Sequence, residues 1–141
     1  MNEFIKIPDF VMYNGNVCLY RAVSSDELYS IMQLNQFTLS PMNTGNVKYF
    51  GVDLNETVAF ANISNLIDLV AVFEIGILLE TLLTIGDFTH VDTFIFKKGT
   101  VIIQKENLKY FNKAIKYIKR CFWGGKSNVK SKSRNSIYTT Q

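Results

Sequence analysis

Residue types on which common catalytic and metal sites depend are scarce in this sequence. It has one histidine, His90, and two cysteines, Cys18 and Cys121, among 141 residues. No Cys/His grouping has the spacing of a metal site, and no serine or cysteine elbow accompanies the histidine, so neither a metal centre nor a hydrolytic triad is indicated. Neither common glycine-rich phosphate loop is present. An isolated cysteine pair is typical of two buried thiols in a reducing compartment.

The sequence also lacks an uninterrupted apolar run long enough for a membrane span. The most apolar stretch, residues 63–85, contains Asp68, Glu74 and Glu80, and a charge at the bilayer centre costs about 2.5–3.5 kcal/mol. The first ten residues mix charged with apolar side chains and lack the order of a signal peptide. We therefore predict a buried strand followed by a helix in this stretch, and no contact with a membrane.

Acidic residues are absent from the C-terminal quarter of the chain. Residues 1–106 contain all 12 acids and six bases, whereas residues 107–141 contain nine bases and no acid. From Gly124 onward the composition turns to Gly, Ser, Lys, Asn and Thr, which cannot bury enough surface to order itself. We predict one domain over residues 1–123 and a basic, flexible tail over residues 124–141. The tail is either a solvated end or a contact for nucleic acid, acidic protein or membrane surface.

The apolar content, 48% of the chain, is ample for one folded core, and the local patterns predict an α+β fold. Strands are predicted at residues 17–23, 47–52 and 69–76. Ser24 with Glu27, and Asp53 with Glu56, have the spacing of capping boxes that begin helices. Near residue 80 we predict a short helix.

Two further elements are predicted towards the C-terminus. Residues 93–96 and 100–103 read as two short strands or a hairpin, joined by a turn that includes Gly99. A last amphipathic helix is predicted from an apolar stripe, which consists of Leu108, Phe111, Ile115, Ile118 and Phe122. Its other face would carry Lys109, Lys113, Lys116 and Lys119.

Two of the predicted strands carry a polar residue among apolar neighbours. Arg21 lies within "CLYRAVS" and Tyr49 within "NVKYFG". In a structural interpretation, Arg21 is an edge residue that pairs with a carboxylate, and Tyr49 is an ordinary strand residue. In a functional interpretation, both belong to a binding site. Glu74, an acid within an apolar strand, is predicted to lie at a sheet end or to pair with a lysine, because an unpaired buried charge is costly.

Three segments together resemble ADP-ribosyltransferase domains, in particular small bacterial toxins and effectors. They read "LYRAVSSDELYSIMQLNQF", "KYFGVDLNETVAFAN" and "KKGTVIIQKENLKYFNKAI", and their order and spacing are similar to that family over residues 17–118. The resemblance implies a split sheet, in which two small, mostly antiparallel sheets with flanking helices enclose a cleft for NAD. The implied reaction breaks the bond between nicotinamide and ribose and transfers ADP-ribose to a macromolecule.

The same resemblance assigns roles to four residues. Arg21 would hold ribose or phosphate oxygens of NAD, a role that suits the rigid donor fork of a guanidinium. The backbone of Ala22 would lie beside the nicotinamide amide. Tyr49 would stack on the nicotinamide ring, and Phe50 would support it from the core.

The third catalytic position of the family departs from the family pattern here. That position is normally a glutamate, and this chain offers Gln104 at the strand end and Glu106 at the start of the next helix. Gln104 could bond the ribose but brings no charge, and Glu106 is also explained as a first-turn helix acid. No E-x-E or Q-x-E pair is present, so the acceptor is not indicated and weak or absent turnover stays open.

The resemblance implies NAD as cosubstrate and an acceptor that is a protein rather than a nucleic acid. It also implies action in a cytoplasm, which for a secreted effector is that of a target cell. The alternative is a catalytically inactive member of the fold, whose cationic last helix and tail bind an acidic protein or a nucleic acid.

Overall fold

The computed structural model describes residues 7–39, 46–63, 68–89 and 94–121. The predicted flexible tail and the loop histidine His90 lie outside these residues. The strands are β1 (Val11–Tyr13), β2 (Asn16–Ser24), β3 (Val47–Gly51), β4 (Leu69–Leu78), β5 (Gly86–Asp87), β6 (Thr100–Gln104) and β7 (Ile115–Cys121). The helices are α1 (Ser25–Leu34), α2 (Leu54–Ile63), α3 (Leu79–Ile85) and α4 (Leu108–Ala114), with a 3₁₀ turn at Lys105–Asn107.

The strands form one antiparallel sheet, which confirms the α+β prediction. Its order is β5-β6-β3-β2-β4-β7, and β1 pairs with β2. β2 pairs with β4 along its whole length, and β3 does so with β6. In contrast, β2 and β3 are joined by the single pair Tyr20–Gly51. The sheet therefore has two well-paired parts with a narrow junction, and a complete split into two sheets stays a prediction.

Apolar side chains cover both faces of the sheet. The larger core lies on the face of Leu19 and Val23 and is covered by α1, α3 and α4; we call this the α1 face. The smaller core contains Ala22 and Val72 and lies under α2, on what we call the α2 face. Among the helices of the described residues, none has the length and apolar character needed to cross a bilayer.

Both predicted capping residues begin helices. The Glu27 N–H donates to the Ser24 hydroxyl at 3.4 Å, and the Glu56 N–H donates to the Asp53 carboxylate at 3.0 Å. Each glutamate turns its own side chain to a different element: Glu56 accepts from the Lys98 N–H, and Glu27 binds two cations described below. Asn35 ends α1 in the left-handed conformation, which asparagine tolerates better than most residues.

Of the two short strands or hairpin predicted at residues 93–103, the second strand is confirmed and the first is wrong over residues 94–96, so no hairpin forms there. The second strand is β6, while residues 94–99 form bends and a turn. Both edges of β6 are already paired, with β3 and with β5, so no edge is left for a hairpin partner. The Phe96 ring instead packs on Phe60 of α2, with centroids 5.5 Å apart. Gly99 adopts φ +116°, consistent with the backbone freedom predicted there.

The predicted last helix is wrong beyond Ala114, where the chain becomes β7. β7 pairs with β4, and the register skips Lys116, so that Ile115 faces Ile77 and Ile118 faces Ile75. Such a bulge places residues three apart on one sheet face. A spacing of three is also a helical spacing, which is why the apolar stripe indicated a longer helix. The predicted lysine face is consequently divided between α4 and β7.

Candidate functional site

Arg21 projects from β2 towards the α1 face and is held at three points. Its Nε and Nη2 donate to the two carboxylate oxygens of Glu27 at 2.7 and 2.9 Å, and its Nη1 donates to the Tyr49 carbonyl at 2.8 Å. A two-point contact of this kind is among the stronger hydrogen-bonded ion pairs. The structural interpretation was right that Arg21 pairs with a carboxylate, but wrong that it lies at an edge, since β2 lies between β3 and β4.

Local structure brings Glu27 over Arg21. A register shift in the β2–β4 ladder between Val23 and Ser24 ends the strand, and Ser24 immediately caps α1. The first turn of α1 therefore folds back over the residues that precede it. Glu27 lies in that turn, six positions after Arg21, and its carboxylate reaches the guanidinium.

A second cation completes the arrangement. The Lys48 Nζ lies 3.2 Å from the same Glu27 oxygen that accepts from Arg21 Nε, and its side chain is only 2% exposed. We call Arg21, Glu27 and Lys48 the ion triad. Within the described residues, Glu27 is the one carboxylate paired with either cation. The ion triad therefore combines two cations with one anion. The Arg21 guanidinium also lies over the Phe50 ring, 5.9 Å from its centroid.

Burial and charge act against each other at Glu27. Burial raises the pKa of its carboxyl, but the hydrogen bonds and charge of Arg21, with the charge of Lys48, outweigh burial and lower that pKa below the ordinary value. At Lys48, burial and the nearby Arg21 charge both lower the pKa, and Glu27 only partly compensates. Glu27 is thus held ionised, whereas Lys48 holds its proton less tightly than an exposed lysine does.

The structure brings Arg21 to the backbone of Tyr49 but not to its phenol. Side chains alternate along a strand, and Lys48 and Phe50 are buried on the α1 face. The Tyr49 ring therefore lies on the other side of β3, where it is 44% exposed. Ala22 is buried on the α2 face, in the small core under α2.

Gln104 and Glu106 lie apart from the ion triad. Gln104 ends β6 opposite Val47, two residues from the pair Tyr49–Ile102, so that it shares a sheet face with Tyr49. Glu106 is exposed in the 3₁₀ turn. Within the described residues, neither forms a hydrogen bond or ion pair with the ion triad.

A second polar cluster lies on the α2 face around Glu74. Its Oε2 accepts from the Tyr117 hydroxyl at 2.5 Å and from the Cys18 thiol at 3.7 Å, and the Lys119 Nζ is 3.9 Å away. We call Cys18, Glu74, Tyr117 and Lys119 the tyrosine–thiol cluster. The predicted lysine partner of Glu74 is confirmed. The alternative of a sheet-end position is wrong, because Glu74 lies in the middle of β4.

Gly76 makes room for this cluster. Tyr117 pairs with Gly76 across β4 and β7, and the Tyr117 ring lies where a side chain on Gly76 would be. Burial raises the pKa of the Cys18 thiol and of the Tyr117 phenol, and raises the pKa of Cys121 to about 11. The two thiols are therefore protonated near neutral pH, and a nucleophilic cysteine is not indicated.

Sequence reasoning missed Glu27 and Lys48 as site residues. Glu27 was interpreted only as a capping residue, because its spacing from Ser24 is that of a capping box and no second role was considered. Lys48 precedes Tyr49 and lies two positions before Phe50, so strand alternation places it on the buried face of Phe50. A lysine at a position predicted to be buried was the available signal, because buried charges need partners.

Comparison with known protein families, with curated proteins and with solved structures found no match. The role of the site consequently depends on its own geometry and on the resemblance of its motifs.

Proposed function

We propose that the chain is an NAD-dependent ADP-ribosyltransferase that transfers ADP-ribose to a macromolecular acceptor, a protein rather than a nucleic acid. The observation that carries this proposal is the position of Arg21. Backbone pairing between β2 and β3 is limited to Tyr20–Gly51, and beyond that pair the Arg21 guanidinium bridges the two strands by binding the Tyr49 carbonyl. The resemblance implies that the NAD cleft lies between two small sheets and that Arg21 lines it, and Arg21 lies at the junction of the two sheet parts.

The charge of the ion triad supports this function. NAD carries a diphosphate, and two cations that share one carboxylate leave one positive charge for an anion. Arginine recognises phosphate oxygens through its planar donor fork. The Arg21 side chain is 15% exposed, and its bond to the Tyr49 carbonyl is at the exposed edge of the site. A ligand phosphate would therefore approach along this edge.

The predicted residues Tyr49 and Gln104 lie on the α2 face, opposite the Arg21 side chain, so one NAD molecule would have to pass the junction of β2 and β3 to reach both them and Arg21. Tyr49 presents an exposed ring that would stack on nicotinamide. Gln104, on the same sheet face, would hydrogen-bond the ribose, and Glu106 in the turn that follows would supply the carboxylate for the developing oxocarbenium ion. The bond from nicotinamide nitrogen to the ribose carbon breaks, and that carbon bonds to a nucleophile of the acceptor.

The test is a titration with NAD together with an assay of nicotinamide release. We expect saturable NAD binding, no turnover in Arg21→Ala, and strongly reduced turnover in Tyr49→Ala. Tyr29→Ala is the matched control, since Tyr29 is an exposed tyrosine on α1 with no assigned role. The unfolding curve of each variant should be recorded, so that unfolding of a variant is not mistaken for a specific loss of NAD binding or turnover. Full activity in both Arg21→Ala and Tyr49→Ala would overturn the assignment.

A second candidate function is supported by the positive charge near the C-terminus. Lys109 and Lys113 on α4, and Lys116 and Lys119 on β7, are all exposed. Such a surface would bind an acidic protein or a nucleic acid, with affinity that falls steeply as salt rises. Replacing the four lysines by glutamine should abolish that binding and leave NAD turnover intact, whereas Arg21→Ala should do the reverse.

A further inference from the structure

We propose that Arg21 and Lys48 form a binding site for a phosphate-class anion, in which Glu27 acts as a built-in competitor. The identification of the natural anion as the diphosphate of NAD rests on the proposed function, whereas the site itself rests on the geometry of the ion triad.

The first step is the charge imbalance of the ion triad. A buried charge without a partner is strongly unfavourable. Here two cations nevertheless share one carboxylate. Lys48 is 2% exposed, and within the described residues Glu27 is its one charged partner. An ammonium has three donors, so Lys48 has further capacity for an acceptor. A bound monoanionic group would bring the total charge to zero.

The second step is the way Glu27 occupies the cations. One carboxylate oxygen accepts from both Arg21 Nε and Lys48 Nζ, and the other accepts from Arg21 Nη2. A phosphate also binds arginine in this way, with two oxygens that accept from two N–H groups of the guanidinium. Glu27 therefore fills the position that a phosphate would take. When a phosphate takes the fork, the Glu27 carboxylate can stay on Lys48, which already binds it.

The third step is access. The side chains of Arg21 and Glu27 are 15% and 18% exposed, whereas that of Lys48 is 2% exposed. An incoming anion would thus meet Arg21 and Glu27 first, and it would then accept a hydrogen bond from the buried Lys48. Removing Glu27's negative charge should strengthen anion binding, whereas a purely structural role for Glu27 predicts no such gain.

The experiment is isothermal titration of the full chain with inorganic diphosphate, at constant ionic strength held by chloride. We expect saturable binding of one diphosphate, weakened about 10-fold or more in Lys48→Met, since a hydrogen bond to a charged group contributes about 1.5–3 kcal/mol. Lys98→Met is the matched control, because Lys98 also pairs with a carboxylate, Asp53, away from the ion triad. Binding that is absent in the wild type, or weakened equally by both substitutions, would overturn the site.

The competitor role has its own comparison. Glu27→Gln should bind diphosphate about 10-fold more tightly than the wild type, and unchanged or weaker binding would overturn that role. Because Glu27→Gln leaves two buried cations unpaired, the comparison is repeated between Lys48→Met and the double variant Glu27→Gln/Lys48→Met, which retains one cation. The same gain is expected there.

These results separate the anion site from the proposed enzyme. If diphosphate binding depends on Lys48 but the protein does not turn over NAD, the anion-site proposal is supported and the transferase proposal is rejected. NAD turnover without Lys48-dependent diphosphate binding would sustain the transferase and overturn the site.

Discussion

Glu27 on the α1 face and Glu74 on the α2 face are carboxylates buried to a similar extent, but they are neutralised in different ways. The side chains of Glu27 and Glu74 are 18% and 14% exposed. Glu27 binds two cations, one of them almost fully buried, whereas Glu74 accepts from a hydroxyl and a thiol and has only the half-exposed Lys119 nearby. The two carboxylates are thus similarly buried, but Glu27 has charged partners and Glu74 has mainly neutral ones. The partners, rather than the depth, should decide what each carboxylate contributes.

The largest effect expected from this difference is that of Glu27→Gln on stability. Removing the charge leaves Arg21 and Lys48 buried without a counter-ion, which should lower the free energy of unfolding by about 3 kcal/mol. Glu74→Gln keeps an acceptor for the Tyr117 hydroxyl and loses only a weak, partly exposed ion pair, so about 1 kcal/mol is expected. Urea unfolding of both variants at neutral pH measures the two values.

A control tests whether the stability loss in Glu27→Gln comes from the two unpaired cations. Lys48→Met added to Glu27→Gln removes one of the two unpaired charges and should recover part of the lost stability, as replacement of buried ions by apolar side chains often does. Equal losses in Glu27→Gln and Glu74→Gln would show that partner charge does not distinguish the two faces.

The difference in free energy of unfolding between the wild type and Glu27→Gln should depend on pH, and the change with pH should be about as large as the difference itself. The pKa of Glu27 is lowered in the folded protein from its ordinary value of 4.5. Its stabilising contribution is therefore present above that value and is lost as the pH falls through the lower folded pKa. The stability gap between wild type and Glu27→Gln should be full at neutral pH and should close below about pH 4.5. Urea midpoints of the two proteins over this range check it, and a gap that widens on acidification would contradict it.

The fold was predictable from the sequence wherever local signals and tertiary pairing agree. Ser24 and Asp53 cap helices as predicted, because a cap is a contact between near neighbours in the chain. The region after Ala114 was not predictable in this way, because the bulge at Lys116 depends on pairing with β4, more than 30 residues earlier. The β1–β2 turn at Asn14–Gly15, with φ of 52° and 83°, had a clear Asn-Gly signal that was overlooked.

The site was predictable only in part, for a related reason. The sequence singled out Arg21 because a charge within an apolar strand needs an explanation. It did not single out Lys48, although strand alternation places Lys48 on the same buried face of β3 as Phe50. It also could not place the Tyr49 phenol relative to Arg21, since that depends on how β2 and β3 meet at one residue pair.

The α2 face should be more sensitive to shape than to charge, which Gly76→Ala tests. The added methyl group would overlap the Tyr117 ring, and the ring would have to leave its place beside Glu74. A loss of about 2 kcal/mol is expected, within the usual range for overpacking. Tyr117→Ala in the same chain removes the obstruction, so the double variant should lose less than the sum of the single variants. Strict additivity, measured by urea unfolding, would mean that the ring does not occupy this space.

The smallest expected effect is that of Tyr117→Phe, which deletes one hydroxyl from the tyrosine–thiol cluster. Glu74 would keep the Cys18 thiol and the nearby Lys119, so the carboxylate is not left without partners. The free energy of unfolding should fall by about 1 kcal/mol, the usual value for one hydrogen bond. Tyr110→Phe is the control, since Tyr110 is 48% exposed on α4, and its change should be near zero. A loss from Tyr117→Phe as large as that from Glu27→Gln would mean that the hydroxyl, though uncharged, stabilises its carboxylate as strongly as two cations stabilise theirs.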